Sequence, residues 1–209
     1  MLIFILYFLK KDTFMNKHII LDTLKNTLDS YYPISTVTWN KLQEFCEIKT
    51  ISKKEHAFDI YNEAKYISYI YKGLFRAYTT NEEGEELNKN FFWENRFYGP
   101  MVALLTNTEI TSSVQALEDT IIVNIDFKKY RELLFLSEDL KSFHILYLEK
   151  HWIIDKNEDK DSFVLEDAKQ RYTKFLKTFS HILPRLSQLN IALYLGISPT
   201  HLSRIKKEL

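Results

Sequence analysis

The chain has 209 residues, 45% hydrophobic and 27% charged, with 28 basic residues balancing 28 acidic ones. That length fits one medium domain plus a small one and is enough to bury a real core. A single cysteine, Cys46, excludes an intramolecular disulfide and any all-cysteine metal cluster within one chain, and it suits a reducing cytoplasm.

The charge is neutral overall but unevenly placed. From residue 163 to the end, eight Lys/Arg stand against three acids, so this end carries +5 and the rest −5. A basic end on a neutral chain is a local footprint for an anionic partner.

Residues 1–9 are apolar but too few to span a bilayer, which takes roughly 20 residues. No basic stretch precedes them, as a signal peptide would require. The expectation is that the native protein starts at Met15 and that 1–14 is a start-site artefact or an extension. Ile20, Leu21, Leu24 and Leu28 then fall at helical spacing, and a second short helix is expected over Val37–Cys46. Between Glu47 and Asp126 come short aromatic and branched runs, among them Tyr66–Tyr71, Leu74–Tyr78 and Ile121–Ile125. Turn signals at Lys72-Gly73, Asn81–Gly84 and Tyr98–Pro100 separate them. Such spacing predicts an antiparallel sandwich or barrel.

From Leu133 to Asp155 the pattern predicts one long helix with an apolar seam at Leu140, Phe143, Tyr147 and Ile154, close to a heptad repeat. That seam is the expected dimer interface. The polar run 155–161 is the best domain boundary, and Asp161 or Ser162 is the expected cap of a helix over Phe163–Phe179. The expected division is therefore 15–132 for an effector-type domain, 133–160 for a dimerisation helix and hinge, and 161–209 for a DNA-binding unit.

Gln188–Lys207 meets a demanding pattern. Ala192 is small where two helices must cross, and Gly196 sits where a left-handed backbone is needed. Ile191, Leu195, Ile197, Leu202 and Ile205 are apolar at the offsets of a shared core. Ser198 can cap a second helix that Pro199 begins. This predicts a helix-turn-helix whose second helix enters the major groove. Its candidate DNA contacts are Gln188, Ser198, Thr200, His201, Ser203, Arg204, Lys206 and Lys207. Arg204 matches the two acceptors of guanine, and Lys206 and Lys207 suit phosphates.

Sandwich, long helix and helix-turn-helix together resemble the cyclic-AMP receptor protein and fumarate-nitrate regulator (Crp/Fnr) family, from about Val37 to the end. Asn81–Glu86 resembles that family's hairpin, Phe97–Leu105 running to Ser113–Ala116 resembles its phosphate-binding cassette, and Ser203-Arg204 resembles its recognition-helix pair. The resemblance implies an α+β fold: an N-terminal antiparallel β-sandwich of the cyclic-nucleotide-binding, jelly-roll type, a long dimerisation helix and a C-terminal helix-turn-helix. It implies a homodimer on a near-palindromic double-stranded DNA site, with RNA polymerase a candidate further partner and no membrane association.

The family's ligand-binding Glu, Arg and Ser are replaced here by Pro100, Ile110 and Thr111, next to Gly99. A buried phosphate without its partner is prohibitive, so cyclic AMP is not the expected effector unless Arg76 or Arg96 substitutes. One cysteine is too few for an iron–sulfur branch, and His56 stands alone in the sandwich region as a haem ligand. His144 and His151 are expected at the surface of the long helix. Only residues 180–186 lie ahead of the helix-turn-helix, leaving no room for a wing hairpin. No cofactor and no enzymatic activity are expected. A cupin-type metal enzyme would need two or three clustered histidines, and a dimeric adaptor without DNA binding is the other alternative.

Overall fold

The computed structural model describes residues 17–58, 60, 63–155 and 166–208. The start-site expectation, Asp161 and Ser162 lie outside them. Helix α1 (17–29) buries Ile20, Leu21, Leu24 and Leu28. Helix α2 (Thr36–Gln43) is capped by the Ser35 hydroxyl, which accepts from the Thr38 N–H at 3.2 Å. It stops short of the expected Cys46, because that residue opens strand β1 (Cys46–Ile51) and pairs with Ile125.

The remaining strands are β2 (His56–Phe58), β3 (Tyr66–Lys72), β4 (Phe75–Thr80), β5 (Glu86–Phe92), β6 (Phe97–Tyr98), β7 (Ser113–Ala116) and β8 (Thr120–Asp126). Helix α3 (Met101–Thr106) lies between β6 and β7. They form two antiparallel four-stranded sheets, ordered β1-β8-β3-β6 and β2-β7-β4-β5. The first sheet is covered on both faces. Tyr69, Val123 and Ile125 join the core beneath the helices, while Ile70 and Ile122 join the core between the sheets. Two buried faces explain why β3 and β8 read as nearly continuous apolar runs. At the β3–β4 turn Gly73 has φ +124°, and a Cβ there would stand 2.1 Å from Thr120 Cγ2. Only glycine fits that position.

The single helix expected over 133–155 is instead three pieces. Helix α4 (Phe127–Leu136) starts at Asp126, whose carboxylate accepts from Lys129 N–H. Ser137 is extended (φ −127°, ψ 111°) and ends it. Helix α5 (Glu138–Leu148) follows, then a π-helical turn at Glu149–Ile154. The Asp139 carboxylate accepts from Ser35 N–H (2.8 Å) and Thr38 Oγ1 (2.9 Å), which pins the start of α5 to α2.

The expected dimer seam is corrected here. Leu140, Phe143 and Tyr147 are 0%, 3% and 5% exposed because they pack within their own chain. Phe143 meets Phe97 at 5.8 Å, and Tyr147 OH accepts from the Phe97 N–H at 2.8 Å. A helix lying on a sheet produces the same near-heptad spacing as a helix paired with a partner. Ile154 is exposed, as are Ile145, Leu146 and Ile153.

Helix α6 (Ala168–Thr178) begins at Asp167 in a reciprocal capping box with Gln170. A 3-10 turn (Leu183–Arg185) leads to α7 (Gln188–Leu195) and α8 (Pro199–Lys207). Among the described residues no strand follows β8. The C-terminal helices do not close on themselves alone. Leu74 and Phe91 of the sandwich share one core with Tyr172, Phe175, Phe179, Ile191, Tyr194 and Leu202.

Candidate nucleic-acid interface

Helices α7 and α8 form the tight pair that the sequence predicts. Ser187 caps α7 by accepting from Asn190 N–H, and Ser198 caps α8 by accepting from His201 N–H, both at 3.1 Å. Gly196 ends α7 at φ +64°, ψ 36°, the left-handed conformation that turns one helix into the next. Ala192 is fully buried at the crossing, and Ile191, Leu195, Leu202 and Ile205 are buried around it.

What the pair leaves outside is polar and cationic. Gln188, Thr200, Arg204, Lys206 and Lys207 are exposed, and His201 and Ser203 are half-exposed. Thr200, Arg204 and Lys207 are spaced four and three residues apart and so share one stripe of α8. Ser198 is also exposed, but its oxygen is engaged in capping. The cations Arg204, Lys206 and Lys207 occupy the last turn of α8, where they also complement the helix dipole. Lys169, Lys174 and Lys177 line a shallow open groove along α6.

The cassette region has the expected course: β6, then Gly99 and Pro100, then α3, then a loop into β7. Ile110 is buried and Thr111 exposed. The space between the sheets is filled by rings. Tyr98 stands 6.1 Å from Phe58, 4.9 Å from Phe75 and 5.8 Å from Phe92. The two candidate substitute cations are both occupied. Arg76 pairs with Glu86 at 2.6 Å and with Gln115 at 3.0 Å. Arg96 contacts His151 and reaches Asp155 at 3.4 Å, with its guanidinium over the Trp93 ring.

The histidines of the helical region are not plain surface groups. His144 bonds Tyr130 OH at 2.9 Å, and His151 bonds Tyr31 OH at 2.5 Å and Asp155 at 2.8 Å. Burial lowers the pKa of both; for His144 the Arg131 charge adds to this. For His151 the Asp155 carboxylate opposes the burial and Arg96 reinforces it. His56 bonds Tyr78 OH at 2.8 Å. Among the described residues no group of three or more His, Cys, Asp or Glu is placed to hold a metal ion, and no helix is long and apolar enough to cross a membrane.

One set of residues escaped the sequence reading. Arg185, to which the sequence gives no role, donates to both oxygens of Glu94 (2.9 Å each) and both oxygens of Glu118 (3.2 and 2.5 Å). Burial alone would raise the Glu94 pKa. Its bonds from Arg185 and the Gly73 N–H outweigh that and hold it below the usual carboxylate value. Asn88 of β5 donates to the Asn190 carbonyl of α7 at 2.9 Å. These partners lie 67 to 102 residues apart, so no local signal could have joined them.

Residues 48–136 match the cyclic nucleotide-binding domain family. No curated protein matches the chain. Among solved structures, the c-di-GMP-responsive global regulator CLP of Xanthomonas campestris is similar at 16% identity and TM-score 0.67, over 83% of this chain and 91% of that one. FixK2 of Bradyrhizobium japonicum is similar at 17% identity and TM-score 0.64, over 78% and 84%. A Crp/Fnr-family transcriptional regulator of Eubacterium rectale is similar at 14% identity and TM-score 0.61, over 86% and 87%. The chain is thus a cyclic-nucleotide-binding-type sandwich followed by a helix-turn-helix, in the fold that these three proteins share.

Proposed function

We propose that this protein is a Crp/Fnr-type transcription regulator that binds a near-palindromic DNA site as a homodimer and does not respond to cyclic AMP. The observation that carries the reading is the α7–Gly196–α8 pair, with Thr200, Arg204 and Lys207 on one open stripe. In such a pair the second helix lies in the major groove. Arg204 reads guanine through its planar fork, Thr200, His201 and Ser203 approach neighbouring bases or phosphates, and Lys206, Lys207 and Gln188 hold phosphates.

Three further observations support the finer points. Ile110 brings no charge to a cyclic phosphate, and the aromatic filling around Tyr98 occupies the space between the sheets. Exposed Ile145, Leu146, Ile153 and Ile154 offer an apolar face for a second copy, in place of the seam expected at Leu140, Phe143 and Tyr147. The basic charge of residues 166–208 suits an anionic partner.

The test is a titration of cognate and mismatched duplexes at several salt concentrations. Arg204→Ala should cost about 1–3 kcal/mol on the cognate site and flatten preference at one base pair per half-site. Lys207→Ala should weaken all sequences alike and reduce the logarithmic salt slope by about two in a dimer. Unchanged base preference in Arg204→Ala would remove Arg204 as the reading residue. Failure of the wild type to bind any duplex would remove the DNA-binding reading.

A further inference from the structure

Helix α6 carries four basic residues, Lys169, Arg171, Lys174 and Lys177, and no acid. Arg171 turns inward and donates to the Glu166 and Leu195 carbonyls. Lys169, Thr173 and Lys177 stand four residues apart and share one exposed stripe, which half-exposed Lys174 borders. Tyr172 and Phe175, on another face, are buried in the core shared with Leu74 and Phe91, while the three lysines line an open groove. Among the described residues neither the Lys174 nor the Lys177 amine has a hydrogen-bonding or ionic partner. Helix stability does not account for the whole stripe, because Lys169 in the first turn faces the positive end of the helix dipole. The acids ahead of the helix, Glu166 and Asp167, stand where that end favours them, and Asp167 caps it.

One contact joins this stripe to the candidate reading helix. Lys169 Nζ donates to the Glu208 carbonyl, at the end of α8, at 3.3 Å. Lys207, the last residue of α8, immediately precedes Glu208. The stripe of Thr200, Arg204 and Lys207 therefore ends where the α6 stripe begins. From Lys169 to Lys177 the helix rises about 12 Å, a length over which one DNA strand carries about three phosphates.

We propose that α6 is a second phosphate-binding surface for the same DNA, continuing from the end of α8, with Lys169 at the junction and Lys174 and Lys177 on the backbone. The inference rests on the DNA-binding reading. It assigns no base to α6, because lysine amines meet phosphates as point charges and carry no sequence information. Each lysine that neutralises a phosphate adds about 0.9 to the logarithmic salt slope. Lys174 and Lys177 in both halves of a dimer thus account for about three to four.

Binding of the full chain to a mixed-sequence duplex of about 30 base pairs, followed by anisotropy between about 50 and 200 mM salt, tests this. K174Q/K177Q should lower the magnitude of the salt slope by about three to four, and K174R/K177R should keep it at the wild-type value. K49Q/K53Q removes the same charge from exposed positions in and beside β1 and should leave the slope unchanged. Melting by circular dichroism separates loss of fold from loss of contact. If K174Q/K177Q melts early, K177Q alone decides, with an expected fall of about two. A wild-type slope in these variants overturns the proposal and leaves the DNA reading standing. An equal fall in K49Q/K53Q also overturns it, because overall charge then accounts for the loss. No binding by the wild type overturns the DNA reading and this proposal together.

Discussion

Replacing Phe91 with alanine measures how far the sandwich and the helix-turn-helix share one core. Phe91 belongs to β5, yet its ring neighbours are Phe175 (6.3 Å), Phe179 (5.5 Å) and Tyr194 (5.7 Å), all in the C-terminal helices. It is 1% exposed. If the two units stay docked in solution, the substitution opens a cavity in a packed core, and Phe→Ala there costs about 3–5 kcal/mol. If they separate, Phe91 stands on an open sheet face, and the loss should stay below about 1 kcal/mol. For a chain of this size, 1 kcal/mol moves the melting temperature by about 2–4 °C. Docked units therefore predict a fall of about 6–20 °C by circular dichroism, alongside Leu87→Ala as an exposed control on the same strand. A shift equal to that of the control would refute the shared core.

Other expectations follow from single contacts. Gly73→Ala forces a Cβ against buried Thr120 at a left-handed φ, so urea denaturation should show a loss of about 3 kcal/mol. Burial pushes the Cys46 thiol up to about 12, with only a small opposing effect from Lys17. A thiol reagent at pH 8 should therefore leave the native protein unmodified and react on unfolding. Glu94 has a depressed pKa, so its contribution is present above the unfolded carboxylate value and is lost as pH falls through the folded one. Hydrogen exchange of α7 should therefore stay slow at neutral pH and accelerate on acidification below about pH 4.5; constant protection down to pH 3 would contradict it. Ile145→Glu with Ile153→Glu should turn a dimer into monomers in analytical ultracentrifugation without loss of helix, because both side chains are exposed within the chain.

The helix-turn-helix was legible because nearly all its determinants are local. A cap, a glycine that must take a left-handed backbone, a small residue at the crossing and five apolar offsets all fall within twenty residues, and each has one structural use. The strands of the sandwich were legible for a similar reason: Gly73, Gly84 and Gly99 mark chain reversals or their edges between branched and aromatic runs. Boundaries were poorer wherever a neighbour decided them. Cys46 continues a helical pattern until β8 offers it a strand partner, and Asp139 reaches across to Ser35 and Thr38 to begin a new helix where the sequence shows an uninterrupted one.

The apolar seam of α5 shows where periodicity stops carrying information. Leu140, Phe143 and Tyr147 specify that one face of the helix is buried; they do not specify against what. A second copy and the helix's own sheet present the same kind of apolar surface, so the spacing suits both. Position along the chain decides between them. Phe97, on β6, lies at the edge of the first sheet and presents both a ring to Phe143 and an N–H to Tyr147. That N–H matters because an edge strand leaves backbone groups unpaired, and a tyrosine hydroxyl arriving from a helix satisfies one that a symmetry mate would have to reach across the dimer to find. The helix is thereby committed to its own sandwich, and Ile145, Leu146, Ile153 and Ile154 are the apolar residues left exposed along it.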